Sequence, residues 1–336
     1  MTTYILGAGA SRDAGYPLCC ELWSRMAAWV IETEPPESEY LEAIRTVNVL
    51  ATPIVDVEQV FTDLDLGQGS FRTLTQSERQ KLEGRIRQCL RAFFSSIRPQ
   101  NLPASPYADL ASRIATGDGL ITFNYDVALE NELIRAQKFR IRNGYGRSFE
   151  ADWDEPGSDV TVLKLHGSIN WIGSPFGGAR GGHFGGFSSS LGPRPFVDNV
   201  DLAFPDYPKG VLDKSFPGGG VLDGAPTVVL PTYEKQFLVQ TSVGKEWIPF
   251  YSSLWSQAGE FLEKSERVVI IGYSMPAADR QAGELILSKS NKCADVFVCC
   301  ASSNERLAAR FRDHGFLHVH QVGGFAEWLF DPRSTK

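Results

Sequence analysis

Three polar side chains with useful chemistry follow short hydrophobic runs. Asn124 and Asp126 follow the run at 120–122, and His166 follows the run at 162–165. An asparagine amide can hold a sugar hydroxyl or a water molecule without carrying charge, and histidine can act as a general base near neutral pH. Each residue also has a structural explanation: Asn124 as a helix cap, Asp126 in the first turn of a helix, and His166 as a buried structural histidine.

A glycine-rich segment, Gly7-Ala8-Gly9-Ala10-Ser11, follows the hydrophobic run at 4–6. Glycines let a backbone approach a phosphate closely, and free N–H groups at the start of a helix bind the anion. The dehydrogenase fingerprint G-x-G-x-x-G requires glycine at its sixth position, where this chain has Arg12. The segment therefore predicts a phosphate-binding turn unlike that of dehydrogenases, and a tight turn without a ligand is the alternative.

A second glycine turn, Gly272-Tyr273-Ser274, follows the run at 268–271. It is similar to the start of the nucleophile elbow of serine hydrolases, but Pro276 stands where that motif needs glycine. We therefore interpret it as a phosphate- or ribose-binding turn in which Ser274 donates a hydrogen bond.

The elements that must position these residues are four short apolar runs, at 4–6, 120–122, 162–165 and 268–271. Such runs, ending at glycine or polar residues, are typical of buried parallel strands. Helical patterns alternate with them, so we predict an α/β fold with a doubly wound, Rossmann-like parallel sheet. Because ligands of open α/β sheets bind at the carboxyl ends of strands, the four runs should meet in one pocket.

We predict one domain over residues 1–336 with two insertions. Residues 37–96 have helical periodicity, with apolar residues at i, i+3, i+4 and i+7 from Val57, and they separate the first strand from the second. Residues 173–224 are rich in glycine and have few periodic hydrophobic residues, so we expect a long irregular loop. That loop is either a lid over the pocket or a surface loop without a chemical role.

Composition excludes several classes of protein. A formal net charge of −7 argues against a general polyanion binder, so direct nucleic-acid binding is not expected, although residues 135–147 are locally basic. No run approaches the ~18 apolar residues of a membrane span, and the first strand leaves no room for a signal peptide. The six cysteines form no Cys-x-x-Cys pair, so we expect neither structural zinc nor a disulfide framework. We expect a cytoplasmic protein without a metal, with His318 and His320 as surface histidines of a strand.

Taken in order, these segments resemble the sirtuin family. Sirtuins begin with a glycine-alanine-glycine-x-serine turn, which residues 7–11 match, and continue with glycine-x-proline, which residues 15–17 match. Their asparagine-x-aspartate motif corresponds to residues 124–126, their histidine–glycine pair to 166–167, and their later glycine-x-serine turn to 272–274. The resemblance extends from Tyr4 to about Asn304 and implies a sirtuin-type sheet.

The sequence differs from protein-deacylating sirtuins in two features. Protein-deacylating sirtuins carry aspartate-phenylalanine-arginine after that proline and a four-cysteine zinc module, whereas this chain has Leu18-Cys19-Cys20 and no such module. The amino-acid sequences of residues 122–126, 164–171 and 231–235 are more similar to those of bacterial sirtuin-like proteins that hydrolyse NAD⁺ in anti-phage defence. The resemblance therefore implies an NAD⁺ glycohydrolase, which releases nicotinamide and ADP-ribose. An NAD-dependent protein deacylase and a non-catalytic nucleotide-binding regulatory subunit are the alternatives.

The resemblance also implies roles for individual residues. Asn124 would position ribose hydroxyls and the attacking water, and His166 would accept a proton. Asp126 would either steady the cationic nicotinamide end or support Asn124. NAD is then the substrate, no metal takes part, and the expected NAD-binding residues are Gly7, Ala8, Gly9, Ala10, Ser11, Asp13, Thr122, Asn124, Asp126, Gly272, Ser274 and Asn304. Ser274 and Asn304 would face the pyrophosphate and the adenosine ribose. The implied partners are further copies of the chain in a homo-oligomer, or a separately encoded sensor or ATPase subunit.

Overall fold

A computed structural model describes residues 1–51, 57–97, 106–141, 143–146, 158–172, 194–195, 226–228 and 248–335. Its strands, in chain order, are β1 (Thr2–Leu6), β2 (Gly119–Thr122), β3 (Thr161–Lys164), β4 (Gly167–Ile172), β5 (Arg194–Pro195), β6 (Pro226–Val228), β7 (Arg267–Ile271), β8 (Asp295–Cys299) and β9 (His318–Gln321). Its helices are α1 (Cys19–Thr33), α2 (Glu39–Leu50), α3 (Val57–Leu66), α4 (Gln76–Ser96), α5 (Pro106–Arg113), α6 (Ala128–Arg135), α7 (Ile248–Lys264), α8 (Arg280–Lys289), α9 (Asn304–Asp313) and α10 (Phe325–Phe330).

Six parallel strands form the main sheet, in the order β3-β2-β1-β7-β8-β9. The four hydrophobic runs of the sequence form the edge strand β3 and the strands β2, β1 and β7 next to it, and Ile5, Ile121 and Ile270 are completely buried. Helices α7 and α9 pack against the strands. The predicted α/β fold with a parallel sheet is confirmed, and the arrangement is compatible with a Rossmann-like fold.

The strand order reverses direction between β1 and β7. From β1 the chain adds β2 and β3 on one side, and then crosses to add β7, β8 and β9 on the other. In open α/β sheets a crevice forms at this switch point, outside the carboxyl ends of the two strands. Gly7 and Gly272, the first residues after β1 and β7, lie at that point.

Helices α1 to α5 occupy the long connection from β1 to β2, and α2, α3 and α4 fall within the predicted helical insertion. Val60, Phe61 and Leu64 of α3 are buried, as the periodicity predicted. Helix α4 starts at a capping box in which Thr75 and Glu78 bond each other's backbone N–H groups. Among the described helices, none is long and apolar enough to cross a membrane.

A smaller sheet follows β3 directly, with the strand order β5-β4-β6 and antiparallel pairing. Strand β4 begins at Gly167, immediately after His166, and its Trp171 is completely buried. The sequence did not predict this strand. The predicted glycine-rich loop at 173–224 lies outside the described residues except for β5, so the choice between a lid and a surface loop stays open.

Candidate functional site

The turns after β1 and β7 meet backbone to backbone. The Gly7 N–H donates to the Ile271 carbonyl and the Gly9 N–H to the Gly272 carbonyl, each at 3.0 Å. Gly272 has φ +61°, and a Cβ there would lie 2.1 Å from the Ala10 nitrogen. Only glycine fits both the conformation and the space. The glycines of the two motifs therefore allow the turns to pack on each other.

This packing uses part of the proposed phosphate-binding backbone. The N–H groups of Gly7 and Gly9 bond the second turn, and the Ala10 N–H donates to the Gly7 carbonyl at 2.9 Å. Residues 8–14 form a short 3₁₀ helix that ends at Gly15, in the left-handed conformation with φ +88°. These three N–H groups hold the turn together, so an anion here would need other donors of the first helical turn.

Asn124 joins the end of β2 to the glycine-rich turn. Its Nδ2 donates to the Gly7 carbonyl at 2.9 Å and to Ser11 Oγ at 3.0 Å. A carbonyl oxygen only accepts hydrogen bonds, so this contact fixes which end of the amide faces the turn. Both N–H bonds of the amide are used in this way, and Oδ1 is the atom with which Asn124 could accept a bond from a ligand hydroxyl or water. Ser11 Oγ also lies 2.9 Å from the Tyr107 hydroxyl.

Asp126 is a buried carboxyl at the start of α6. Its Oδ1 accepts a hydrogen bond from the Ala128 N–H at 3.0 Å, as expected for an acidic residue near a helix start. Burial raises the pKa of Asp126 above its usual range, although the charge of Lys164 and a hydrogen bond from Ser11 act in the opposite direction. A carboxyl in such a place gains a proton more readily than one on the surface.

Lys164 lies behind Asp126 and is completely buried. Its Nζ is 2.8 Å from Glu130 Oε1 and also donates to the Asp126 carbonyl. The Tyr145 hydroxyl donates to the same Glu130 oxygen at 3.2 Å and accepts from Asn170 Nδ2 at 3.0 Å. A buried polar network therefore links β3, α6 and β4.

His166 lies in the turn between β3 and β4 and is 5% exposed. Its Nε2 lies 3.4 Å from Asp279 Oδ1. Phe123 packs its ring edge-on to the imidazole, with centroids 4.9 Å apart, and stacks on Tyr273 at 4.2 Å and 16°. The Tyr273 hydroxyl donates to Asp279 Oδ2 at 3.1 Å. Aromatic rings and a carboxylate thus hold the imidazole from two sides.

Asn124, Asp126 and His166 line one cavity of about 480 Å³, within the usual range for small-molecule sites. The cavity lies at the carboxyl ends of the parallel strands, where the four apolar runs of the sequence predicted a shared pocket. The lining includes these residues expected from the sequence: Gly7, Ala8, Gly9, Ser11, Asn124, Asp126, His166, Gly272 and Ser274. Helices of the β1–β2 connection form another wall, with Cys19, Glu58 and Phe94.

Four residues expected to bind NAD do not line this cavity: Ala10, Asp13, Thr122 and Asn304. Asp13 is exposed, and Ala10 is buried. Thr122 Oγ1 accepts from the Asn124 N–H at 3.1 Å and shapes the turn after β2. The Asn304 amide bonds backbone only: Oδ1 accepts from the Cys300 N–H at 2.5 Å, and Nδ2 donates to the carbonyls of Val322 and Gly323.

Sequence analysis did not identify two residues of this site. Asp279 lines the cavity and is 6% exposed, but an aspartate before a helix normally indicates an N-cap. Tyr107 reaches Ser11 from α5, and no motif marks it. The one sequence feature that bears on Asp279 is the short segment of two alanines and the aspartate after Pro276, which allows a turn before α8.

Within the described parts of the chain, no group of three or more His, Cys, Asp or Glu side chains is placed to hold a metal ion. His318 and His320 lie on β9, as predicted. His320 Nε2 pairs with Asp295 Oδ1 at 3.2 Å, and its ring stacks on Phe297.

A comparison of the chain with protein-family models found no match, and a comparison with curated proteins found none either.

Proposed function

We propose that this protein is an NAD⁺ glycohydrolase with a sirtuin-type sheet, which cleaves NAD⁺ to nicotinamide and ADP-ribose. One observation carries the proposal: a single cavity at the switch point of a parallel sheet contains Asn124, His166 and the glycine-rich turn. These residues come from three strand ends that are far apart in the sequence. Together with the sequence resemblance to sirtuin-like NAD hydrolases, this convergence favours nucleotide chemistry over a structural role for each residue alone.

The proposed reaction breaks the bond between the nicotinamide nitrogen and C1′ of the ribose. The bonding electrons leave with nicotinamide, which becomes neutral, and C1′ acquires oxocarbenium character, as in glycoside hydrolysis. Water then forms the new C1′–O bond. His166 accepts the proton that this water loses and later releases it to solvent. The sum is NAD⁺ plus water giving nicotinamide, ADP-ribose and one proton.

Asn124 contributes orientation. Its Nδ2 is fixed on Gly7 and Ser11, so Oδ1 has a defined position. A fixed acceptor can hold a ribose hydroxyl or the attacking water in line with C1′, and such positioning is worth several kcal/mol of the barrier. Asp126, buried beside Ser11, would carry or share a negative charge near the cationic nicotinamide ring or support Asn124.

Product analysis tests the proposal and its alternatives. Purified protein is incubated with NAD⁺, alone and with an acyl-lysine peptide, and the products are separated by chromatography. Nicotinamide and ADP-ribose in equal amounts without peptide support a glycohydrolase. Peptide-dependent release of nicotinamide with an O-acyl product indicates a deacylase. Binding of NAD⁺ without any turnover, at every oligomeric state and with a separately encoded partner, would leave only a regulatory role.

We further propose that the protein is an effector of bacterial anti-phage defence in the cytoplasm, active as a homo-oligomer or with a separate sensor or ATPase subunit. An unregulated NAD⁺ hydrolase would deplete NAD⁺ in its own cell, which is the reason to expect control by assembly. Light scattering and turnover measured over the same dilution series test this. Full activity of a monomer at the lowest concentration would contradict control by assembly but not the proposed reaction.

A further inference from the structure

Asp279 is a buried carboxylate that precedes a helix but does not cap it. It is the residue before α8, where an aspartate normally accepts a hydrogen bond from the N–H groups of the first helical turn. The side chain makes no such capping bond here. It turns toward the cavity instead and is 6% exposed. Burial of a carboxylate is costly unless it is paired or hydrogen-bonded.

One hydrogen bond and one longer ion-pair contact reach this carboxylate. Oδ2 accepts a hydrogen bond from the Tyr273 hydroxyl at 3.1 Å, and Oδ1 lies 3.4 Å from His166 Nε2. Burial raises the pKa of Tyr273 far above its usual range. Tyr273 therefore keeps its proton near neutral pH and can donate it to Asp279. Its ring is fixed in turn by stacking on Phe123, which also contacts His166.

We propose that Asp279 is a positioning residue for His166. Tyr273 holds the carboxylate in place, and the 3.4 Å contact between Oδ1 and Nε2 tightens to a hydrogen bond from Nε2–H in the substrate complex. A neutral imidazole with its proton on Nε2 has its basic lone pair on Nδ1. Asp279 would therefore select Nδ1 as the base and stabilise the imidazolium that forms when water is deprotonated. This inference rests on the proposed glycohydrolase function and adds the acid–base partner and the tautomer.

Other ionisable groups also lie near His166 or line the same cavity. Tyr125, after β2, lies 6.5 Å from the imidazole between ring centroids. Asp126, Glu58 and Arg12 line other parts of the same cavity. Asp279 is the carboxylate paired with His166 at 3.4 Å, so its substitution should change the proton affinity of His166 more than substitution of those groups.

The test compares Asp279→Asn with Asp295→Asn. The second variant is a matched control because Asp295 pairs with His320 at 3.2 Å, away from the cavity. Asp279→Asn should lower kcat about 10²-fold, leave KM within about threefold and move the acidic limb of the kcat/KM profile to lower pH. Asp295→Asn should leave both kcat and the profile unchanged. Tyr273→Phe keeps the carboxylate and should cause a smaller change in the same direction, and it replaces Asp279→Asn if that variant does not fold.

A readout without substrate separates this inference from the proposed function. NMR of ¹⁵N-labelled histidine reports the tautomer and titration of His166 in the free protein. Wild type should show the proton on Nε2, and Asp279→Asn should shift the His166 titration to lower pH. An unchanged tautomer and titration would overturn the positioning role, even if NAD⁺ is cleaved. The expected shift without NAD⁺ cleavage would instead retain the pair and reject the glycohydrolase.

Discussion

Asn124 and Gly7 are 117 residues apart in sequence, yet the Asn124 amide donates to the Gly7 carbonyl at 2.9 Å. The same amide bonds Ser11, so it connects β2 to both ends of the glycine-rich turn. One side chain thus fastens the turn to β2 and also lines the cavity. The chemical role that we propose for Asn124 therefore depends on the same hydrogen bonds that hold the turn.

Asn124→Ala should therefore affect turnover and stability together. Loss of the oriented oxygen should reduce NAD⁺ cleavage by at least about 10³-fold. Loss of the two hydrogen bonds should lower the free energy of unfolding by about 1–3 kcal/mol. Asn48→Ala is the control, because Asn48 accepts a bond from Trp23 at 2.9 Å outside the cavity. It should lower stability alone. Wild-type turnover in Asn124→Ala, measured by nicotinamide release, would reject the role of Asn124.

His166→Ala should lower kcat by about 10²–10⁴-fold while the protein still binds NAD⁺. The matched control is His320→Ala, which removes another histidine of a carboxylate pair, on β9. It should retain normal kcat. Turnover is followed by chromatography and binding by calorimetry. Equal activities of the two variants would show that His166 has no chemical role.

The contact between the two glycine turns gives a test of stability. Gly272→Ala would place a Cβ 2.1 Å from the Ala10 nitrogen and 2.4 Å from the Gly9 carbonyl carbon. Since both are backbone atoms, we expect a loss of about 2–5 kcal/mol in the free energy of unfolding. Gly84→Ala, inside α4 with no atom within 4 Å of the new Cβ, should stabilise by about 0.5–1 kcal/mol. Thermal unfolding of both variants would show whether the change in the free energy of unfolding has opposite signs in the two, as expected.

The buried pair of Lys164 and Glu130 should behave differently from a surface pair. Lys164→Met leaves the buried Glu130 carboxylate without its cation and should cost about 3–5 kcal/mol. Adding Glu130→Leu should restore part of that loss, since no unpaired charge remains. Lys289→Met breaks the exposed pair with Glu263 and should change stability by less than about 1 kcal/mol. Urea unfolding of the four proteins, including wild type, tests this. A double variant that is no more stable than Lys164→Met alone would contradict it.

Asp126 gives a pH dependence with a definite sign. Burial raises the pKa of Asp126 in the folded protein above the ordinary value of 3.8 that it has in the unfolded chain. At a pH between the ordinary pKa and the raised pKa, the native state therefore binds more protons than the unfolded state. The free energy of unfolding contributed by Asp126 therefore falls as pH rises above 3.8. Asp126→Asn removes this fall and should gain stability relative to wild type with increasing pH. Asp13→Asn, at an exposed position, should run parallel to wild type. A pH-independent difference between Asp126→Asn and wild type would contradict the prediction.

Local pattern was sufficient for the strands but not for every side chain of the site. The runs that became β1 and β7 are apolar throughout because both faces of the sheet are covered, and this could be recognised from sequence. Motif position was a poorer guide to side-chain direction. Asn304 follows β8 as expected, yet its amide is bonded to backbone at Cys300, Val322 and Gly323. Asp279 fitted a helix cap in the sequence, and only the three-dimensional structure shows that it lies beside His166.

The central position of β1 has a consequence for synthesis. Strand β1 is made first, but its partner β7 follows roughly 260 residues later. At translation speeds of about 5–20 residues per second, the ribosome needs roughly 13–50 s to cover that distance. Throughout that interval the first strand lacks one neighbour, and the turn that carries Gly7 lacks the Ile271 carbonyl that it bonds. A nascent or prematurely terminated chain that stops before β7 therefore cannot assemble this site.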